Sequence, residues 1–451
     1  MLALALPAAH AAEERQQHSP SEKAAEAFTK LRELMDKKDW AAIHAVLDAI
    51  PNVAPDSYDR ALILDMKAKV YLNQEQYSKA IEPLEASIKL GEAKAYFSED
   101  QLLQNINILA RLTYAEAVNV KDRALQGQLI TKAGNYLKRF LAGTKNPTPD
   151  DQMFYAQLLY AQATADEKNI NLPLIREARK VIEDGMLKAT TPREGFYQLL
   201  VALVLQENDL VRASELLELV VQKFPAKKDY WPQLMLSYVQ LATSQKDERV
   251  AREYYVRAIN TVERAQALGL LNDPKNNYNL VTFYIAVNQF SKATDLLHAG
   301  LRKGQIESSV ANWRILGSYY QQANRELDAI QALQEASKLF PKEGMLELHL
   351  GEIYRGLEKT KEAREAYRRA VQKKTTLEKP HIAYQLLAYA AMEFEDWDEA
   401  LMAITEASKY PDFQKDEQMK RLKAHIEQTV RERDEAAKAA KELQDAAKKK
   451  V

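Results

Sequence analysis

"WRILGSYYQQANRELDAIQALQEASKLFP", residues 313–341, has two halves of different character. Trp313, Leu316, Gly317 and Tyr320 punctuate the first, and Ala329, Ala336 and Pro341 the second. A shift of 34 residues carries Leu316 onto Leu350, Gly317 onto Gly351, Tyr320 onto Tyr354, Ala329 onto Ala363 and Ala336 onto Ala370. Five coincidences at one offset mark an internal repeat. Each unit reads as two antiparallel helices. Gly317 and Ala329 are small where the paired helices must approach closely. Leu316 and Tyr320 share one face of the first helix, at helical spacing. Ala336 falls where the second helix meets the next unit. Pro341 stops that helix, because proline has no N–H to continue it.

The frame recurs outward in both directions. Tyr384, Leu387, Ala388, Ala400, Ala407 and Pro411 mark a unit after it. Leu280, Tyr284, Phe290, Ala293 and Leu297 mark one before it, and Tyr197, Leu200, Ala213, Leu217 and Pro225 another. Ala68, Tyr71, Tyr77, Ala80 and Leu84 mark one near the start. The unit opened by Trp231, Leu234 and Tyr238 carries "ATSQKDER" as an insertion before its second helix. A 34-residue period with this pattern is the tetratricopeptide (TPR) signature. The expected fold is all-α, with eight or nine TPR-type helix-turn-helix repeats stacked into a right-handed superhelix, an α-solenoid. The expected organisation is a signal-peptide remnant over 1–11, degenerate TPR-like repeats over 12–190 and a regular array over 191–411. A capping helix and charged, flexible tail follow over 412–451. In that last segment Leu422, Ile426 and Val430 form a thin apolar stripe that thins to alanines after Arg433.

Composition narrows the function classes. Lys plus Arg total 63 and Asp plus Glu 64, so the chain lacks the excess base that phosphate neutralisation requires, and nucleic acid is not an expected partner. There is no cysteine, hence no disulfide, thiolate metal site or cysteine nucleophile. "MLALALPAAHAAEE" resembles the apolar core and A-x-A cleavage end of a secretory signal, which predicts export. The longest later apolar run, "LLVALVL", is too short to span a bilayer, which takes about 20 residues.

Catalytic motifs are missing. No H-E-x-x-H, G-x-S-x-G, G-x-G-x-x-G or G-x-x-x-x-G-K-[ST] stands in the chain. "GEIYRGLE" at 351–358 has the glycine interval of a phosphate loop but lacks its Lys-Ser/Thr. His349 and Glu352 share a helix face and read as a solvated pair. The expectation is a non-enzyme with no cofactor and no metal. What remains is a binding surface on the first helices of the units. Its candidate positions are Tyr278, Thr282, Arg314, Ser318, Gln321, Leu348, Glu352, Arg355, Gln385 and Tyr389. Tyrosine and arginine are frequent interface anchors. Glu352 would oppose a C-terminal carboxylate, so a carboxylate clamp is not expected here.

One stretch goes beyond the generic pattern. "LLELVVQKFPAKKDYWPQL" places Phe224, Pro225, Lys228, Tyr230, Trp231, Gln233 and Leu234 in an order that resembles periplasmic TPR proteins associated with TonB systems. The resemblance runs to about residue 410 and is loose before residue 190. It implies export to the periplasm and partnership with ExbB, ExbD and TonB-type inner-membrane proteins, as an accessory part of energised transport. Alternative readings are a periplasmic scaffold for polysaccharide or outer-membrane protein assembly, and a TPR-bearing enzyme subunit.

Overall fold

A computed structural model describes residues 18–51, 53–166 and 168–448. The signal-like segment lies outside them. Among the described residues the regular structure is 21 α-helices and two short 3-10 turns. Helices α1 (Glu22–Asp36) to α20 (Trp397–Ala407) form ten consecutive antiparallel pairs, and α21 (Glu417–Lys448) follows. The chain divides at Phe224–Pro225 into two compact units, with α1–α10 in the first and α11–α21 in the second.

Ten pairs exceed the eight or nine expected. Part of the difference lies where helices run long. α5 (Glu99–Asn119) and α6 (Arg123–Gly143) have 21 residues each, which blurs the 34-residue frame. The expected insertion after Trp231 also takes another form. α11 (Tyr230–Ser244) runs through "ATS", and α12 begins at Glu248 after only three residues, capped by the Asp247 carboxylate. The extra residues lengthen the helices instead of making a loop.

Local chemistry fixes the ends. Ser21, Ser57, Ser98, Thr148 and Ser309 cap helix starts through their hydroxyls, and Asp39, Asp122, Asp209, Asp273 and Asp396 through their carboxylates. Seven turns within pairs share one design. Lys38, Glu75, Asn208, Asn288, Asn324, Glu358 and Glu395 all have φ between 54° and 60°. At each, the next residue's N–H reaches back five residues, as Arg325 does to Tyr320 O (2.8 Å) and Lys359 to Tyr354 O (2.9 Å). This is the Schellman termination, and it reverses the chain tightly into the second helix. A side chain in left-handed backbone costs roughly 1–2 kcal/mol, less for asparagine, and three of the seven turns use asparagine. Glu358→Asn is therefore expected to raise stability by about 0.5–1 kcal/mol. A guanidinium unfolding curve whose midpoint does not rise would contradict this.

The repeat-marking alanines are buried. Ala80, Ala213, Ala293, Ala329, Ala336, Ala370, Ala400 and Ala407 are all inaccessible. In the first unit, Leu31, Ile43, Leu47, Ile63 and Val70 form the core that joins the first two pairs. Two buried carboxylates there are satisfied. Asp65 bonds Lys69 (2.6 Å) and Asn105 (2.9 Å), and Asp151 bonds Arg111 (2.8 Å) and Asn107 (3.1 Å). In the second unit, Leu422, Ile426 and Val430 of α21 are buried on its packed face, and α21 packs against α20. From Arg431 to Asp445 every residue of α21 is exposed.

Candidate functional site

The first helices of neighbouring pairs in the second unit, α15 (Val310–Gln322) and α17 (Gly344–Gly356), also pack against each other. They come close where α15 presents Gly317 at the contact. A Cβ on Gly317 would meet Leu333 of its own pair's second helix and His349 Cε1 of α17 at 3.0 Å each.

Between the outer faces of α15 and α17 lies a cleft of about 450 Å³. Ala311, Arg314, Ile315 and Ser318 line one wall, and Met345, Leu348, His349 and Glu352 the other. The two sets are the same four positions, displaced by the 34-residue period. Within each set the spacing is i, i+3, i+4, i+7, one stripe of a helix. A second cleft of about 480 Å³ lies one unit earlier, where Lys275, Tyr278 and Asn279 of α13 (Pro274–Ala286) face Ile306, Glu307 and Asn312.

Four of the ten expected positions, Arg314, Ser318, Leu348 and Glu352, thus line one cleft, and Tyr278 lines the next. Gln321 borders the first through a hydrogen bond with His349 Nε2 (3.1 Å). Thr282, Arg355, Gln385 and Tyr389 line neither. Thr282 is exposed, but its hydroxyl donates to Tyr278 O (2.8 Å) on its own helix. Tyr389 is exposed on α19 (Pro380–Met392), Gln385 is half-buried there and Arg355 is exposed on α17. Leu348 is buried, so it supplies wall and not reach. The i+1 partner Ile315 and the i−3 partners Ala311 and Met345 escaped sequence reading, and His349 enters it only as a solvated partner of Glu352. The helical spacing of a groove-lining stripe, extended from Arg314 and Ser318, is the signal that finds them.

Arg314 is not a free cation. Its Nη1 pairs with Glu378 Oε1 at 2.9 Å, across 64 residues of sequence. Ser318 Oγ donates to Arg314 O (3.3 Å). His349 corrects the expectation of a solvated pair with Glu352. Burial lowers its pKa to about 4, helped by the Arg314 charge, so its ring is neutral at pH 7. It is half-buried and bonded to Gln321. Glu352 is exposed yet crowded by the cleft walls. Desolvation raises its carboxyl above the ordinary range, against the lowering effect of Arg355 and Arg314.

The His349 shift has a stability consequence. The folded ring resists a proton that the unfolded chain accepts near pH 6.5. Its contribution is complete above that value and is lost as pH falls from about 6.5 towards about 4. His349→Gln is expected to shrink the difference between urea midpoints at about pH 7 and about pH 5. An unchanged difference would rule out His349 as a source of that slope.

Among the described residues no group of three or more His, Asp or Glu is gathered as a metal site, and no helix is long and apolar enough to cross a membrane.

No family model matches the chain, and no curated protein matches it. Solved structures do. YrrB, described as a TPR protein with an unusual peptide-binding site, is 16% identical with a TM-score of 0.31, over 48% of this chain and all of that one. The Cut9–Hcn1 hetero-tetramer of the APC/C is 13% identical with a TM-score of 0.27, over 91% of each chain. MamA from Desulfovibrio magneticus is 15% identical with a TM-score of 0.28, over 39% of this chain and 93% of that one. The 34-residue period and the consecutive helix pairs make this chain an all-α array of TPR-type repeats.

Proposed function

We propose that the protein is a non-catalytic scaffold that holds an extended segment of a partner protein along the first helices of its second unit. The observation that carries this reading is the α15–α17 cleft, two copies of one helix stripe left uncovered by the rest of the unit. A repeat array buries its second helices between neighbours and leaves such stripes for binding. Ser318→Trp should fill the cleft and abolish partner binding, with the helical circular dichroism unchanged. Retained binding would move the interface elsewhere.

The finer reading is an accessory component of a TonB-type energised transport system in the periplasm. It is supported by the Phe224-to-Leu234 resemblance and by the export-signal character of the first residues. Within that segment the Trp231 indole N–H donates to Pro225 O (2.9 Å). The bond holds the Lys-containing turn between them in a fixed shape. In vivo crosslinking followed by purification from envelope extracts should recover ExbB, ExbD or TonB-type proteins. Recovery of outer-membrane or polysaccharide assembly factors in their place would favour that scaffold role. Recovery of the protein from the cytoplasmic fraction alone would overturn both.

A further inference from the structure

The partner of Arg314 sits on an anchored strap. Between α18 (Thr360–Gln372) and α19 the chain makes a 3-10 turn, Lys374–Thr376, beside the start of α17. Glu343, the residue before α17, makes no side-chain cap there, and Thr376 serves in its place. Thr376 Oγ1 accepts the Gly344 N–H (2.7 Å) and shares its own proton between Lys373 O (2.9 Å) and Lys342 O (3.2 Å). Leu377 is buried. Glu378, next in the chain, is exposed, so a fixed backbone presents its carboxylate to Arg314 Nη1 (2.9 Å). Glu378 stands outside the cleft lining, whereas Glu352 stands within it, on the wall opposite Arg314. Arg314 thus has two carboxylates to choose from. Its guanidinium keeps four N–H donors beyond the one spent on Glu378. Among the described ion pairs none joins it to Glu352, although its charge and that of Arg355 both act on that carboxylate. Arg355 is three residues from Glu352 on the same helix, so a pair between those two would leave the cleft open.

We propose that the strap is a latch: Glu378 holds the Arg314 side chain away from Glu352, and without it Arg314 closes onto Glu352 from wall to wall. Such a pair would cross the space that Ile315, Ser318 and Leu348 line. Both carboxylates are exposed, so the balance between the two pairings is shallow and one substitution tips it. His349, the remaining titratable side chain of the lining, is neutral and bonded to Gln321, and offers no competing charge. Given the reading above that a partner segment occupies this space, the latch keeps the cleft preorganised. The partner enters without first breaking a bridge across it.

The test uses the full chain and needs no partner, so its outcome is separate from that of the Ser318→Trp binding test. The chain has no cysteine, and Ser318→Cys therefore supplies a single thiol on the cleft wall. Its labelling rate with fluorescein maleimide is divided by its rate with iodoacetamide. Both reagents react with the thiolate, so the ratio cancels changes in thiol ionisation and reads the room left for the bulky reagent. Glu378→Gln should lower the ratio about threefold, as expected when an exposed ion pair is tipped. Adding Glu352→Gln should restore it, and so should adding Arg314→Gln, with helical circular dichroism unchanged throughout. A crystal structure of Glu378→Gln should show the Arg314 guanidinium paired with Glu352. An unchanged ratio in Glu378→Gln would show that Glu378 holds nothing open. A ratio that falls but is not restored by Glu352→Gln would show that the strap has merely loosened, and would equally overturn the latch.

Discussion

Gly351→Ala is expected to destabilise the second unit by about 1–2 kcal/mol, although alanine is the better helix former. Gly351 lies in the interior of α17, where the exchange alone would gain about 0.5–1 kcal/mol. Space decides the sign. The new Cβ would stand 2.5 Å from Tyr367 Cδ1, nearer still to Cε1, and 3.0 Å from Cζ. Tyr367 is wholly buried, so its ring has no free side to move towards. Overpacking of this kind costs about 1–3 kcal/mol, more than the propensity gain. One period earlier the same contact joins Gly317 to Leu333, a smaller and more flexible side chain. Tyr367→Leu should therefore rescue Gly351→Ala, and a double-mutant cycle should show the coupling. Hydrogen exchange of α17 and α18 would read the loss locally, which matters because a long repeat array need not unfold in one step. Additive effects of the two substitutions would refute the clash.

Trp313→Ala is expected to cost more, about 3–5 kcal/mol. Trp313 is wholly buried, with its indole N–H donating to Ser308 Oγ (3.0 Å) and its ring meeting the edge of His298 at 5.7 Å. Its removal leaves a cavity between α14 (Phe290–Lys303) and α15 that helix packing cannot close. The unfolding midpoint should fall steeply, and Trp313→Phe should recover more than half of the loss. The equivalent residue one period on is Glu347, buried but bonded to Arg369 (2.8 Å) and Lys373 (3.0 Å). The site filled by an aromatic ring in one unit is filled by an ion pair in the next. A midpoint shift of under about 1 kcal/mol for Trp313→Ala would show that the site collapses around the smaller residue.

That pair of positions shows what the sequence makes legible and what it hides. Glycines and alanines at a fixed offset announce helix pairing because only small side chains allow close approach, and Gly317, Ala329 and Ala336 behave as their spacing implies. Large positions are less legible, since Trp313 and Glu347 satisfy one site by different physics. The cleft was legible in part. Arg314, Ser318 and Glu352 follow from helical spacing, but the partner of Arg314 is Glu378, 64 residues away. No periodicity reveals such a pairing. Nor does sequence show that His349 is desolvated, because that depends on how tightly α15 and α17 pack. Gln385, Tyr389 and Thr282 occupy matching helical positions without joining a described cleft.

The pairing of helices with their immediate sequence neighbours has a consequence for how the chain is made. Within each unit, packing joins each helix to its partner in the pair and each pair to the next, so loop-closure costs stay small there. At ribosomal speeds of about 5–20 residues per second, one 34-residue unit emerges in roughly 2–7 s. Within a unit, each finished pair therefore shows its apolar flank only until the following pair arrives. The flank of the α19–α20 pair is covered by α21, through Leu422, Ile426 and Val430.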